Sequence, residues 1–398
     1  MPKLQAKKIK RFFSRHWLMM VVYSCAALVV AMIYGYGLRT FLPGMSPAEV
    51  QTVQNARFFS AIIKNPLWLP YKLICYAWAH LGFSALSFRY INALLAALVL
   101  YAFYTICRRW YSARISTLTT CLFALNSTTL TLARVATPAL LLYTWMIITA
   151  VILWLHTTRR VRVSPFVALV AVGIAAYIPG AVWFIAFLLI WFRKSIIPYF
   201  KKAKPWMIAI GATLGLLTMA PLAYAFFHHH HLALDWLLLP STISLHDSLF
   251  ALRDAPAAFF YRTLPNPAYN LGRLPLLDAF SGTTLLVGLY AYRSRLRLDR
   301  TIVYVLAAIV SIGLAVINNN QFYLVMLLPF VYLMIGGGMS YLLNQWREVF
   351  PRNPLARFIG TLILSLVVFS ACLYHMNRYF LAWQNAPSTK AIYNQRLK

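Results

Sequence analysis

Glu49 is the first residue in this chain whose type and place could do chemistry. It is one of seven acids, and no other carboxylate occurs before Asp235. It lies in the stretch Leu42–Lys72, just after the first long apolar run. A carboxylate there can act as general base toward an acceptor hydroxyl or amine, or hold a divalent metal. The same residue completes Ser46-Pro47-Ala48-Glu49, with Ser at the N-cap, Pro at the first helical position and Glu at the third. That is capping-box spacing, which gives Glu49 a structural use as well. The other conspicuous run is His228–His231. Neutral imidazole is a common metal ligand, and His228 and His229 with Asp235 are the weak metal candidates. Consecutive helical residues point in different directions, no HExxH pattern is present, and a polar helix end explains the run equally well.

These residues are positioned by membrane helices. The 398-residue chain is 61% hydrophobic and 11% charged, with a mean hydropathy of +0.68. Lipid can solvate so much apolar surface, whereas water cannot. The fold class is all-α: a polytopic membrane protein of about eleven transmembrane helices, expected near 17–38, 89–107, 114–132, 137–156, 165–177, 180–192, 206–227, 280–292, 301–317, 321–344 and 357–379. Tyr177-Ile178-Pro179-Gly180 breaks one apolar run into two short helices, which requires protein or a cavity to satisfy the freed backbone groups. Residues 66–82, punctuated by Pro66, Pro70 and Lys72, read as a helix lying in the interface.

The charge of +30 is spread between the apolar runs and forms no nucleic-acid patch. With the N-terminus inside, 24 of the 37 Lys and Arg fall in the short inner segments, as the positive-inside rule requires. One integral domain over 1–398 is expected. It comprises a cytoplasmic basic N-terminus (1–16), a first outer loop (39–88), a second outer loop (228–279) and an outer tail (380–398). Five scattered cysteines show neither CxxC nor zinc spacing and read as packing residues. The basic N-terminus and the apolar run after it read as a retained anchor.

Several weak motifs then line up in order. An outer loop with an acidic motif and interfacial helices leads to an Arg-led second helix, Phe88-Arg89-Tyr90-Ile91-Asn92-Ala93-Leu94-Leu95. A short turn follows, Leu132-Ala133-Arg134-Val135-Ala136-Thr137-Pro138, and later Asn319-Asn320-Gln321-Phe322-Tyr323 before Leu327-Leu328-Pro329. This order resembles the GT-C glycosyltransferases, specifically the family 39 or ArnT/RgtA-like group. The resemblance covers roughly residues 10–160 well and 315–340 less well, and does not extend to the tail. It implies a hexosyl- or pentosyltransferase that moves a sugar from a polyprenyl-phosphate donor to a lipid, glycan or protein acceptor at the outer face. Glu49 would be the catalytic acid. The family often carries an Asp-Glu pair there, and this chain has Ala48-Glu49.

The leaving group in such a reaction is an anionic lipid phosphate, and fixed positive charge in a low-dielectric site favours its departure. Arg134 is the foremost donor-phosphate candidate, followed by Arg57, Lys72 and Arg89. Asn319, Asn320, Gln321 and Tyr323 are candidates for sugar or acceptor binding. No cofactor beyond a possible divalent metal is implied, and a bacterial cytoplasmic membrane is the expected location. The alternatives are a lipid or lipid-linked-sugar flippase, or a non-catalytic relative that kept the fold.

Overall fold

The computed structural model describes residues 28–157, 165–229, 231–294 and 298–395. The basic N-terminus, Cys25, most of the first expected anchor, and residues 158–164 lie outside the described residues. Helix α1 is described over 28–35. The first loop then builds three short helices, α2 (Pro47–Arg57), α3 (Phe59–Lys64) and α4 (Leu69–His80). The last of these is the expected interfacial helix.

A bundle follows, made of α5 (Arg89–Trp110), α6 (Ala113–Leu125), α7 (Ser127–Arg134), α8 (Thr144–Thr157), α9 (Pro165–Ala175), α10 (Ala181–Trp191), α11 (Arg193–Lys201) and α12 (Pro205–His228). The second loop carries α13 (His231–Leu237) and α14 (Leu245–Phe260). The chain closes with α15 (Ala279–Tyr292), α16 (Asp299–Ile317), α17 (Leu328–Val349), α18 (Pro354–Asn377) and α19 (Pro387–Ile392).

Among the described residues, five helical stretches are long and apolar enough to cross a membrane: Ala85–Trp110, Pro205–His228, Asp299–Ile317, Gln321–Val349 and Pro354–Trp383. Ala113–Leu125, Pro138–Ile152 and Ala181–Trp191 are shorter apolar helices. The chain is therefore a polytopic helical membrane protein, and the described residues contain no strand beyond an isolated bridge between Met45 and Gln395. On α18, Phe358, Leu362, Leu366 and Phe369 are exposed at near-helical spacing, an apolar stripe suited to lipid. Inside the bundle α15 and α17 touch backbone to backbone. A side chain at Gly338 would run into the Thr284 carbonyl, so only glycine fits that crossing.

One expected single helix is divided, and one expected break is present. The segment expected at 114–132 breaks at Asn126, whose side chain caps α7 by accepting from the Thr128 and Thr129 amides. The Tyr177–Gly180 break is present, with Gly180 at φ +75°. At 11 residues each, α9 and α10 are about 16 Å long, roughly half a hydrocarbon core. The freed backbone groups are satisfied by both loops. Trp68 donates its amide to the Tyr177 carbonyl at 2.9 Å, and Gly180 donates to the Trp236 carbonyl at 2.9 Å. Trp236 Nε1 donates to the Ala176 carbonyl at 2.5 Å. The break is thus a docking point for the two loops.

Candidate functional site

The capping box forms as its spacing predicts. Glu49 Oε2 accepts from the Ser46 amide at 3.0 Å, and the Glu49 amide donates back to Ser46 Oγ at 3.3 Å. Glu49 is fully buried, however, and its carboxylate is saturated. Oε1 accepts from Arg89 Nε and from the Ala136 amide, each at 2.8 Å, and Oε2 also accepts from Arg89 Nη2 at 2.9 Å. Arg89 spends its remaining reach on the Leu38 and Gly44 carbonyls, at 3.1 and 2.7 Å. One turn along α5, Asn92 Nδ2 donates to the Leu132, Val135 and Thr137 carbonyls. The acid, the Arg-led helix and the Arg134 turn are thereby tied into one buried polar knot.

Two expectations are corrected by this geometry. Glu49 was expected as an acid open at a cavity rim, and Arg89 as a cation facing phosphate; each instead binds the other. Desolvating two charges is tolerable only with a close, fully bonded partner, and the bidentate pair supplies one. Arg134 is likewise fully buried. Its guanidinium donates to the Ile33, Tyr34 and Tyr36 carbonyls and to Tyr379 Oη, and lies over the rings of Phe41, Tyr379 and Phe380. A cation at the carbonyl end of α1 is favoured by the helix dipole and by those rings. Arg134 caps a helix and presents no open fork to phosphate. Arg57 is exposed at the end of α2.

The open space lies in front of this knot. A cavity of about 710 Å³ is bounded by α2, α4, the segment 137–142, Pro179, α13 and residues 318–323. Successive helical side chains diverge by about 100°. Ala48 accordingly lines the cavity while Glu49 turns into the core. Among the described residues, Lys72 is the only Lys or Arg on the wall and Asp235 the only carboxylate. Lys72 is half-buried and donates from Nζ to the Asn65 carbonyl at 2.6 Å. Burial pulls its pKa down to about 8, so it is charged at neutral pH and an anion would stabilise that charge.

Beside it, Tyr71 Oη is buried, with the Cys75 thiol as its polar neighbour. Burial and that thiol push the Tyr71 pKa well up, which keeps the phenol a donor. Thr137 Oγ1 is buried beside Tyr269 on the same wall.

The backbone around the cavity is unusual. Among the described residues, the three non-glycines with left-handed φ are Trp68 (64°), Leu238 (53°) and Asn319 (46°). Trp68 and Leu238 line the cavity, and Asn319 follows Asn318, which also does. Such conformations cost on the order of 1–3 kcal/mol each and concentrate at functional sites. The Leu238 carbonyl is held by Asn318 Nδ2 at 2.8 Å.

The late polar cluster divides. Tyr323 faces the main cavity, whereas Asn319, Asn320 and Gln321 line a separate hollow of about 200 Å³. Asn320 Oδ1 accepts from the Phe322 amide and Gln321 Oε1 from the Leu264 amide, at 3.0 and 2.7 Å, so both side chains hold backbone. His228 and His229 border a surface hollow with Lys64, apart from the wall that carries Asp235. His230 lies outside the described residues, and the described residues hold no group of three His, Cys, Asp or Glu placed for a metal.

One polar cluster joins residues far apart in the chain. His375, buried in α18, accepts from the Ser127 amide on Nδ1 at 3.4 Å and faces Asp278 Oδ2 with Nε2 at 3.0 Å. Burial raises the Asp278 pKa, but the bonds from His375 and Ser281 outweigh it and hold the acid at about 2. With 97 residues between them, no local pattern announces the pair.

No protein-family model matches this sequence, and no curated protein sequence matches it. Among solved structures, ArnT from Cupriavidus metallidurans, crystallised bound to undecaprenyl phosphate, matches 94% of this chain and 76% of its own, with a TM-score of 0.52 and 13% identity. This chain has the ArnT fold. At this identity the likeness is one of fold alone.

Proposed function

We propose that this chain is a membrane glycosyltransferase that takes a sugar from a polyprenyl-phosphate donor at the outer face of a bacterial cytoplasmic membrane. The observation that carries this reading is that Lys72 and Tyr71 line one strained cavity, in which Lys72 is the sole Lys or Arg among the described residues. A cation beside a phenolic donor suits a phosphate. The ArnT fold supports the donor class, since that protein was crystallised with undecaprenyl phosphate. The positive-inside distribution supports the orientation, with 1–16 inside and both large loops outside one integral domain.

In this reading the acceptor attacks the anomeric carbon and inverts it while the polyprenyl phosphate departs toward Lys72. Fixed positive charge in a half-buried site lowers the barrier to that departure. Tyr323 and Asn318 face the sugar or acceptor. Glu49, Arg89 and Arg134 are positioning residues that hold the wall, and Arg57 is a headgroup contact. Ala48 favours a second reading, a non-catalytic polyprenyl-phosphate binder, because the family's first acid is missing from the cavity wall.

Titration of undecaprenyl phosphate into the full chain in nanodiscs tests the site. Saturable binding should weaken about 10- to 100-fold in Lys72→Met, the range for a lost charged hydrogen bond. Absence of saturable binding, or equal binding by the variant, sinks the reading.

A further inference from the structure

We infer that Asp235 is the catalytic base of this site; the inference rests on the glycosyl-transfer reading above. Three observations lead to it. Ala48 faces the cavity and Glu49 turns into the core, so the first loop puts no carboxylate on the wall. Glu49 cannot compensate. Each of its oxygens already accepts two hydrogen bonds, and protonating it would leave Arg89 buried without its counter-charge.

Among the described residues, Asp235 is the sole carboxylate on the wall. It comes from a different element, α13, whose C-terminal end is anchored. Trp236 is bonded to the Ala176 carbonyl, and the Leu238 carbonyl is bonded to Asn318. The carboxylate is exposed, so it can pass a proton on to water.

The step balances simply. A lone pair on the acceptor oxygen or nitrogen forms the new bond to the anomeric carbon. The bond from that carbon to the phosphate oxygen breaks, and its electron pair leaves with the polyprenyl phosphate. The acceptor's proton goes to an Asp235 carboxylate oxygen and then to water. Acid and base work is thus divided between two loops: Lys72 of the first receives the leaving group, and Asp235 of the second receives the proton.

The test uses the full chain in proteoliposomes. Undecaprenyl-phosphoryl glucose, mannose and aminoarabinose are the donors, a bacterial membrane lipid extract is the acceptor pool, and released undecaprenyl phosphate is measured. Asp235→Asn should lower release by about 100-fold or more, the usual contribution of a general base. Its binding of undecaprenyl phosphate should be unchanged. Ala48→Asp added to Asp235→Asn should restore part of the release by returning a carboxylate to the cavity. Release by Asp235→Asn at the wild-type rate overturns the inference, as does loss of binding in that variant, which would make Asp235 structural. Wild-type chain that binds undecaprenyl phosphate but releases none from any donor also overturns it, while leaving the binding site intact. Failure to bind brings down the underlying reading instead.

Discussion

Glu49 and Arg89 look like reacting groups in a chain with so few acids, yet each is fully buried against the other. The partner lies 40 residues away, and residue type does not report which way a side chain turns. The capping-box spacing did forecast the helix start, and the Ala48-Glu49 order marks the spot where one residue faces the cavity and the next the core. Because the pair is buried, Glu49→Ala and Arg89→Ala should each destabilise by about 3–5 kcal/mol. The double variant should lose clearly less than the sum. Denaturation of detergent-solubilised chain checks this, and additive losses would mean that the pair is not coupled.

Lys72 carries a separate prediction. Its pKa is lowered to about 8, so it is charged below that value and loses its proton as pH rises through it. Undecaprenyl phosphate binding should therefore weaken as pH rises past about 8. Lys72→Arg, which stays charged, should remove that dependence. Equal pH profiles for the two proteins would detach the titration from Lys72.

At the scale of elements, apolar runs report position well and interruptions poorly. The helices expected at 206–227 and 280–292 occur as Pro205–His228 and Ala279–Tyr292. Burial of a continuous apolar segment is a local property, visible in the residues themselves. The break at Asn126 is not, because its amide group finds the Leu276 carbonyl and Tyr332 Oη far along the chain. Nor are α13 and α14, which give the second loop helical structure where only a cap built from loops was expected.

Close helix crossings give a paired prediction. At Gly338 an added methyl would strike the backbone of α15, whereas at Gly313 nothing lies within 4 Å. Gly338→Ala should destabilise by about 1–3 kcal/mol through overpacking. Gly313→Ala should be neutral or stabilising by up to about 1 kcal/mol through helix propensity. Thermal unfolding of the two variants side by side distinguishes them, and equal shifts would contradict the backbone contact.

Across the whole molecule, the tail that carried no recognisable motif closes the structure. Trp383 Nε1 and Tyr393 Oη donate to the Pro267 and Ala268 carbonyls of the second loop, and Gln395 pairs with Met45 of the first. The fold class was legible from composition, and the likeness to the ArnT fold from the order of the motifs. The candidate site was legible in part: Lys72 and Tyr323 face the cavity, whereas Glu49, Arg89 and Arg134 turn into the core behind it. Tyr71 and Asp235 are ordinary in type and become distinctive only through their place on the cavity wall.

In the proposed function an anionic lipid headgroup sits against Lys72 and Tyr71 in that cavity. A cryo-electron microscopy map of the full chain in nanodiscs loaded with undecaprenyl phosphate would show it. Phosphate density is expected within hydrogen-bonding distance of Lys72 Nζ and Tyr71 Oη. Phosphate density elsewhere, such as beside α1 and α18, with the cavity filled only by solvent, would contradict it.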